Sequence, residues 1–194
     1  MFAVFAGLAA GLLHVFSGPD HLAAVAPLAA DGDHRQWRTG LRWGIGHTAG
    51  VLVIAGLLLL VREQLPIDAI SAYSERIVGV ALILVGGWGL LRAKSSHRHV
   101  HSSASFGMGV LHGLAGSSHL FGVLPALAFA TQIESVLYLA GFGAGAIAGM
   151  TAFAGSLGFV AARVGPRNSS GFHGLLYACS AAALVVGGFW LVGQ

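Results

Sequence analysis

Six long apolar runs occupy most of this sequence and leave it few ways to fold. They lie at about 2–30, 40–61, 76–91, 106–130, 136–162 and 174–192 of a 194-residue chain. Roughly 20 apolar residues carry a helix across the hydrocarbon core of a bilayer. Asp, Glu, Lys and Arg together make up 9% of the chain, against roughly 25% in soluble domains. That balance excludes a soluble enzyme, a disordered regulator and a disulfide-stapled secreted domain. The expectation is an all-α, polytopic membrane protein of six transmembrane helices, forming a single membrane domain over residues 1–194. The 30 glycines suit helices that pack closely in lipid. Cys179 is the one cysteine and methionines number 3, so neither a dithiol electron carrier nor a thioether path for Cu(I) is expected.

The first run has no basic segment before it and contains His14, Asp20 and His21. It reads as a retained membrane segment rather than a cleaved signal peptide, broken at Ser17-Gly18-Pro19 because proline lacks the N–H that a helix interior needs. Basic residues set the orientation. Arg35, Arg38, Arg42, Arg92, Lys94, Arg98, Arg163 and Arg167 fall in or beside the loops after the first, third and fifth runs, whereas Arg62 and Arg76 lie on the other side. Loops 31–39, 92–105 and 163–173 are therefore expected in the cytoplasm and both termini outside, in a bacterial plasma membrane. The formal charge of +3 is topological on this reading, and nucleic acid is not an expected partner.

The chain also repeats itself. Gly11-Leu12-Leu13-His14-Val15-Phe16-Ser17-Gly18-Pro19-Asp20-His21-Leu22 matches Gly109-Val110-Leu111-His112-Gly113-Leu114-Ala115-Gly116-Ser117-Ser118-His119-Leu120 at an offset of 98. Pro27 aligns with Pro125 at the same offset. Trp43-Gly44-Ile45-Gly46-His47-Thr48-Ala49-Gly50 matches Phe142-Gly143-Ala144-Gly145-Ala146-Ile147-Ala148-Gly149 at offset 99, and Gly86-Gly87-Trp88 echoes Gly187-Gly188-Phe189. The first copy covers about 1–92, the second about 105–194, with a polar, His-containing linker at 93–104. A unit of three crossings must enter the membrane from opposite sides in its two copies. This is the inverted repeat of secondary transporters, whose sites lie near the midplane at the repeat interface and at broken helices.

Ten histidines stand against seven carboxylates, which points to chemistry based on imidazole. His14 and His21 are seven residues apart. On an unbroken helix they would share a face but lie roughly 10 Å apart along the axis, too far for one ion at metal–nitrogen bonds of about 2.0–2.1 Å. Unwinding at Gly18-Pro19 would bring them together, and antiparallel packing of the two copies would set His14 level with His119 and His21 level with His112. Asp20 is a carboxylate inside a crossing, either a ligand or the cap of a second half-helix. His47 has Ala146 as its counterpart, so the site is asymmetric. The candidate metal ligands are His14, Asp20, His21, His47, His112 and His119. Such a set suits Ni(II), Co(II), Zn(II) or Cu(II) rather than Mg, Ca or Mn. The His97-Arg98-His99-Val100-His101 tract reads as either a solvated loop or a weak metal acceptor, and His34 and His173 as interfacial residues.

His14-Val15-Phe16-Ser17-Gly18-Pro19-Asp20-His21-Leu22 resembles the first-helix motif of the UreH-type high-affinity nickel transporters, relatives of the nickel/cobalt transporter (NiCoT) family. Five residues separate His14 from Asp20-His21, where the NiCoT signature has four. The resemblance extends over nearly the whole chain. It implies that His14, Asp20 and His21 recognise nickel or cobalt, and it suggests partners in metalloenzyme maturation.

The expected function is secondary transport of a divalent transition metal, Ni2+ or Co2+, as cargo and with no cofactor. The alternatives are an intramembrane hydrolase using metal or a serine such as Ser17 or Ser118, and an exporter of metal or a small anion. The transporter reading makes the chain no enzyme. Glycine-rich faces are compatible with a homodimer.

Overall fold

The structure, a computed structural model, describes residues 1–30, 35–61, 67–115 except 95–101, 122–123, 125–126, 128–166 and 169–192, with backbone alone for 58–61, 67–75 and a few other positions. The described residues are all helical in their regular structure. Seven helices follow in order: α1 Phe2–Ser17, α2 Pro19–Ala30, α3 Trp37–Val61, α4 Ile67–Lys94, α5 Ser102–Ala115, α6 Gln132–Val164 and α7 Ser170–Val192. Helices α6 and α7 are long and apolar enough to cross a bilayer, and α1 with α2 forms a third candidate span, bent by 72°. Apolar side chains such as Phe5, Phe16, Leu84, Val136, Phe159, Val185 and Phe189 face outward, which in lipid costs nothing.

The elements start and stop where local chemistry requires. Helix α1 ends at Gly18, in extended conformation at φ −89° and ψ 99°, whose N–H reaches the His14 carbonyl. Pro19 opens α2, a position where its missing N–H has no helical partner to lose. Thr131 caps α6, its Oγ1 accepting from the Glu134 N–H at 3.2 Å and donating to the Glu134 carboxylate at 3.0 Å, a side-chain N-cap. Gly165 ends α6 at φ +125°, a region that side chains disfavour. Ser169 Oγ then accepts the Phe172 N–H at 3.2 Å to start α7. The break between α6 and α7 thus falls inside the 163–173 loop, at the Gly165–Ser170 turn that the sequence reads there. The run expected at 76–91 belongs to a helix that begins earlier, at Ile67.

Helix α2 lies at the centre. All its residues from Asp20 to Ala30 except Leu22 are buried, and its Ala24 and Val25 join Val15, Trp43, Leu82 and Met150 in one apolar core. Around it, three helix pairs meet along seams of small residues. Apolar burial gives little drive between helices where the surrounding lipid is equally apolar, so close backbone packing must supply the attraction. On α1, a methyl at Gly11 would fall on the Phe142 carbonyl of α6, and one at Gly145 of α6 would fall on the Leu8 carbonyl. The α3–α5 seam is built the same way: Gly109 lies over the Trp43 carbonyl and Gly46 over the Phe106 carbonyl. In the sequence alignment Gly11 matches Gly109, Phe142 matches Trp43, and Gly145 matches Gly46. Helices α4 and α7 meet where Gly79 abuts the Gly187 carbonyl and Gly86 abuts the Ser180 carbonyl. At the offset that aligns Gly86 with Gly187, Gly79 aligns with Ser180.

These seams leave no room for a side chain. Gly11→Val is expected to destabilise the chain by about 1–3 kcal/mol, the usual range for overpacking, because the added carbons meet α6 backbone. Gly87→Ala, where nothing lies within 4 Å of the new methyl, is expected to be neutral. Thermal unfolding in detergent, followed as loss of the monodisperse species, checks both.

Candidate metal centre

The bend at Gly18 determines what the first two helices present to each other. Because α2 turns away from the axis of α1, His21 does not sit two turns beyond His14. Their rings lie edge to face with centroids 4.4 Å apart. Gly18 is packed under this contact: a methyl there would meet the His21 ring and lie 2.9 Å from the Asp20 carboxylate. It is the helix break that brings these two histidines of one copy together.

Asp20 is the second residue of α2, near the positive end of that helix, where a carboxylate is favoured. Gly18, without a side chain, holds the position before the helix, so Asp20 is not its cap. Its two oxygens serve two imidazoles. Oδ1 lies 3.1 Å from His21 Nδ1, and Oδ2 lies 3.0 Å from Nε2 of His112 on α5. A carboxylate only accepts, so both ring nitrogens donate. On the other side of the His21 ring, Nε2 lies 3.1 Å from His47 Nε2 on α3.

Helices α1, α2, α3 and α5 thereby bring His14, Asp20, His21, His47 and His112 into one cluster. Asp20 is 2% exposed, His21 and His47 0%, and His112 2%; His14 is half-buried. Among the described residues, two sets of donor atoms lie within 4.8 Å of one another: His14, His21 and His47, and Asp20, His21 and His112. The ring centroids of His21 and His112 are 4.7 Å apart. His119, like His34, Ser118 and the His97–His101 tract, lies outside the described residues. His173 sits half-buried at the start of α7, beside Phe172 and away from the cluster.

Two aromatic residues complete the centre, and the sequence reading missed both as site residues. Trp43 stacks on His47 with centroids 4.9 Å apart and planes 19° apart, and it also lies 5.7 Å from the His21 ring and 5.3 Å from the His112 ring. Phe142 of α6 lies 5.3 Å from the His14 ring. The signal was present: Trp43 precedes His47 by four residues, which puts both on one helix face, and the repeat aligns Trp43 with Phe142. Together the two rings limit how the imidazoles can turn. The centre offers four imidazoles and a single carboxylate, all buried except the half-buried His14, a donor set suited to a divalent transition metal.

No family model matches the chain, and no solved structure matches it. Among curated proteins it is 35% identical over 176 residues to Chloroplast protein FOR GROWTH AND FERTILITY 2 of Arabidopsis thaliana, with 79% of this chain and 47% of that protein covered. It is 32% identical over 182 residues to Chloroplast protein FOR GROWTH AND FERTILITY 1 of the same plant, with 79% and 50% covered. The chain therefore spans about half the length of these two relatives. It is 30% identical over 173 residues to the urease accessory protein UreH of Bacillus sp. (strain TB-90), with 78% of this chain and 74% of that protein covered. Similarity of this extent, along most of both sequences, shows that the chain belongs to the UreH family.

Proposed function

We propose that the chain is a secondary transporter that carries a divalent transition metal, Ni2+ or Co2+, across a bilayer. The observation that carries this reading is the cluster of four imidazoles and one carboxylate, drawn from four helices and set at the break between α1 and α2. Imidazole suits Ni, Co and Zn, whereas Mg, Ca and Mn prefer more oxygens than this site holds. The resemblance to nickel transporters and the accessory role in the name of the urease relative point to nickel first. His119 stays in the proposed ligand set as the counterpart of His21.

The proposed architecture is six crossings in two inverted three-helix repeats within one membrane domain. The seams support it. Exchanging α1 with α5 and α3 with α6 turns the Gly11–Phe142 and Gly145–Leu8 contacts into the Gly109–Trp43 and Gly46–Phe106 contacts, while α4 and α7 pair with each other. Such an exchange is what a two-fold axis in the membrane plane produces. The basic residues would place both termini outside in a bacterial plasma membrane. Entry into a negative-inside compartment would then favour a divalent ion by about 4.6 kcal/mol per 100 mV, twice the single-charge value. Rocking of the repeats about the cluster would expose it to each side in turn. The hydrolase alternative finds no support at Ser17, whose exposed hydroxyl donates to the His14 carbonyl at 3.4 Å rather than to an imidazole base.

Flux into proteoliposomes under an imposed negative-inside potential tests the proposal, with Ni2+, Co2+, Zn2+ and Mn2+ compared. Potential-driven Ni2+ uptake is expected, with Mn2+ uptake near background. His14→Ala combined with His21→Ala should lower Ni2+ uptake by about ten-fold or more at equal reconstitution, the scale for loss of metal-site groups. Unchanged flux in that variant would sink the reading.

Trp43 provides a second readout. Ni2+, an open-shell ion, should quench the fluorescence of an indole this close to His47, whereas closed-shell Zn2+ should not. Trp43→Phe should abolish the Ni2+-dependent quenching while largely preserving uptake. Trp43→Ala, which leaves His47 unsupported, should weaken apparent Ni2+ affinity by about ten-fold.

A further inference from the structure

The two donor sets are not two sites. His14, His21 and His47 form one and Asp20, His21 and His112 the other, so each needs the same His21 ring. That ring turns Nε2 toward His47 and Nδ1 toward Asp20, each at 3.1 Å. A neutral imidazole has one lone pair, and its other nitrogen carries a proton. It can therefore ligate through Nε2 or through Nδ1, but not through both.

Filling both sets at once would require His21 to lose its second ring proton and bridge the ions as imidazolate. Two divalent ions would then stand about 6 Å apart across one ring, given metal–nitrogen bonds of about 2.0–2.1 Å. Asp20 is the single carboxylate of the two sets, so four positive charges would face two negative ones in a buried centre that water cannot screen. The single lone pair of a neutral ring and the balance of charge both weigh against it.

Building on the metal-transport reading, we infer that the two sets are alternative seats for one cation, joined at His21, so that the chain holds one ion at a time. The seats differ in surroundings. The first includes the half-buried His14, whereas all three residues of the second are buried. Asp20 has a different part in each. With an ion in the first seat, its Oδ1 accepts from His21 Nδ1–H and fixes the tautomer that turns the Nε2 lone pair toward His14 and His47, the familiar outer carboxylate of a histidine–metal pair. In the second seat the carboxylate is itself a ligand. His14 and His47 thus serve one seat, His112 and Asp20 the other, and His21 serves both.

Equilibrium dialysis of the purified full chain in detergent against Ni2+, with bound metal measured by elemental analysis, tests the inference. The wild-type chain should saturate at one ion. His14→Ala with His47→Ala, and separately Asp20→Asn with His112→Ala, should each still bind one ion, with Kd raised about ten-fold or more. His21→Ala should bind none across the range in which either double variant saturates. Two ions per chain that persist after His97→Ala, His99→Ala and His101→Ala in the polar linker, outside both seats, would overturn the inference. A monodisperse double variant that binds nothing would reduce the two seats to one and overturn it too, as would a His21→Ala chain that binds like a double variant. A wild-type chain that binds no Ni2+ would instead remove the transport reading beneath it.

Discussion

The interruption of one helix at Gly18-Pro19 is the constraint on which the centre depends. A continuous helix would carry His14 and Asp20-His21 on a rod, with the two imidazoles roughly 10 Å apart along it. The break bends the chain by 72° and converts that separation into ring contact. It also directs the start of α2 inward, so that a carboxylate lies at a helix N-terminus, where the backbone helps to hold its charge. The bend is stable because its polar cost is met locally: the Gly18 N–H bonds to the His14 carbonyl, and the Gly18 carbonyl accepts from the His21 N–H.

The bend alone delivers three of the five groups. His47 and His112 arrive because the α3–α5 seam lets two backbones touch at that depth. Gly113, next to His112, lies over the carbonyl of His47 itself, and Gly109 lies one turn earlier over the carbonyl of Trp43. Larger residues at these glycines would separate the helices and pull His112 away from Asp20. Packing and chemistry are therefore one problem here. The small residues that hold the helices together also set the distance between imidazoles, and a change in the seam becomes a change in the centre.

Much of this was legible in the sequence. The helices and the break at Gly18 follow from apolar run length and from proline's missing donor. The role of Asp20 was left between ligand and cap because sequence shows only that it follows Pro19. The direction of its two oxygens depends on where α5 lies, which is a tertiary fact. Trp43 and Phe142 escaped notice for the opposite reason: an aromatic in an apolar helix looks like core until a histidine is found stacked on it. The start of α4 at Ile67 was missed because Asp68, Ser71 and Glu75 dilute its apolar pattern, and helices can extend past the apolar stretch that marks them.

The two copies are alike in their seams and unlike in their chemistry, and that difference suits a transporter. Asp20 has Ser118 as its counterpart and His47 has Ala146, which is fully buried beside Gly11. A fully symmetric molecule would place two carboxylates and six imidazoles at its centre. Each added carboxylate would deepen the well for a divalent ion and carry its own burial cost when the ion left. One carboxylate shared among several imidazoles holds such an ion without complete neutralisation. Transport requires binding favourable enough to draw the ion in and weak enough, or divided among enough positions, to let it go. On the proposed transport reading, the duplicated helices would supply the frame that rocks, while divergence between the copies keeps the proposed site from becoming a trap.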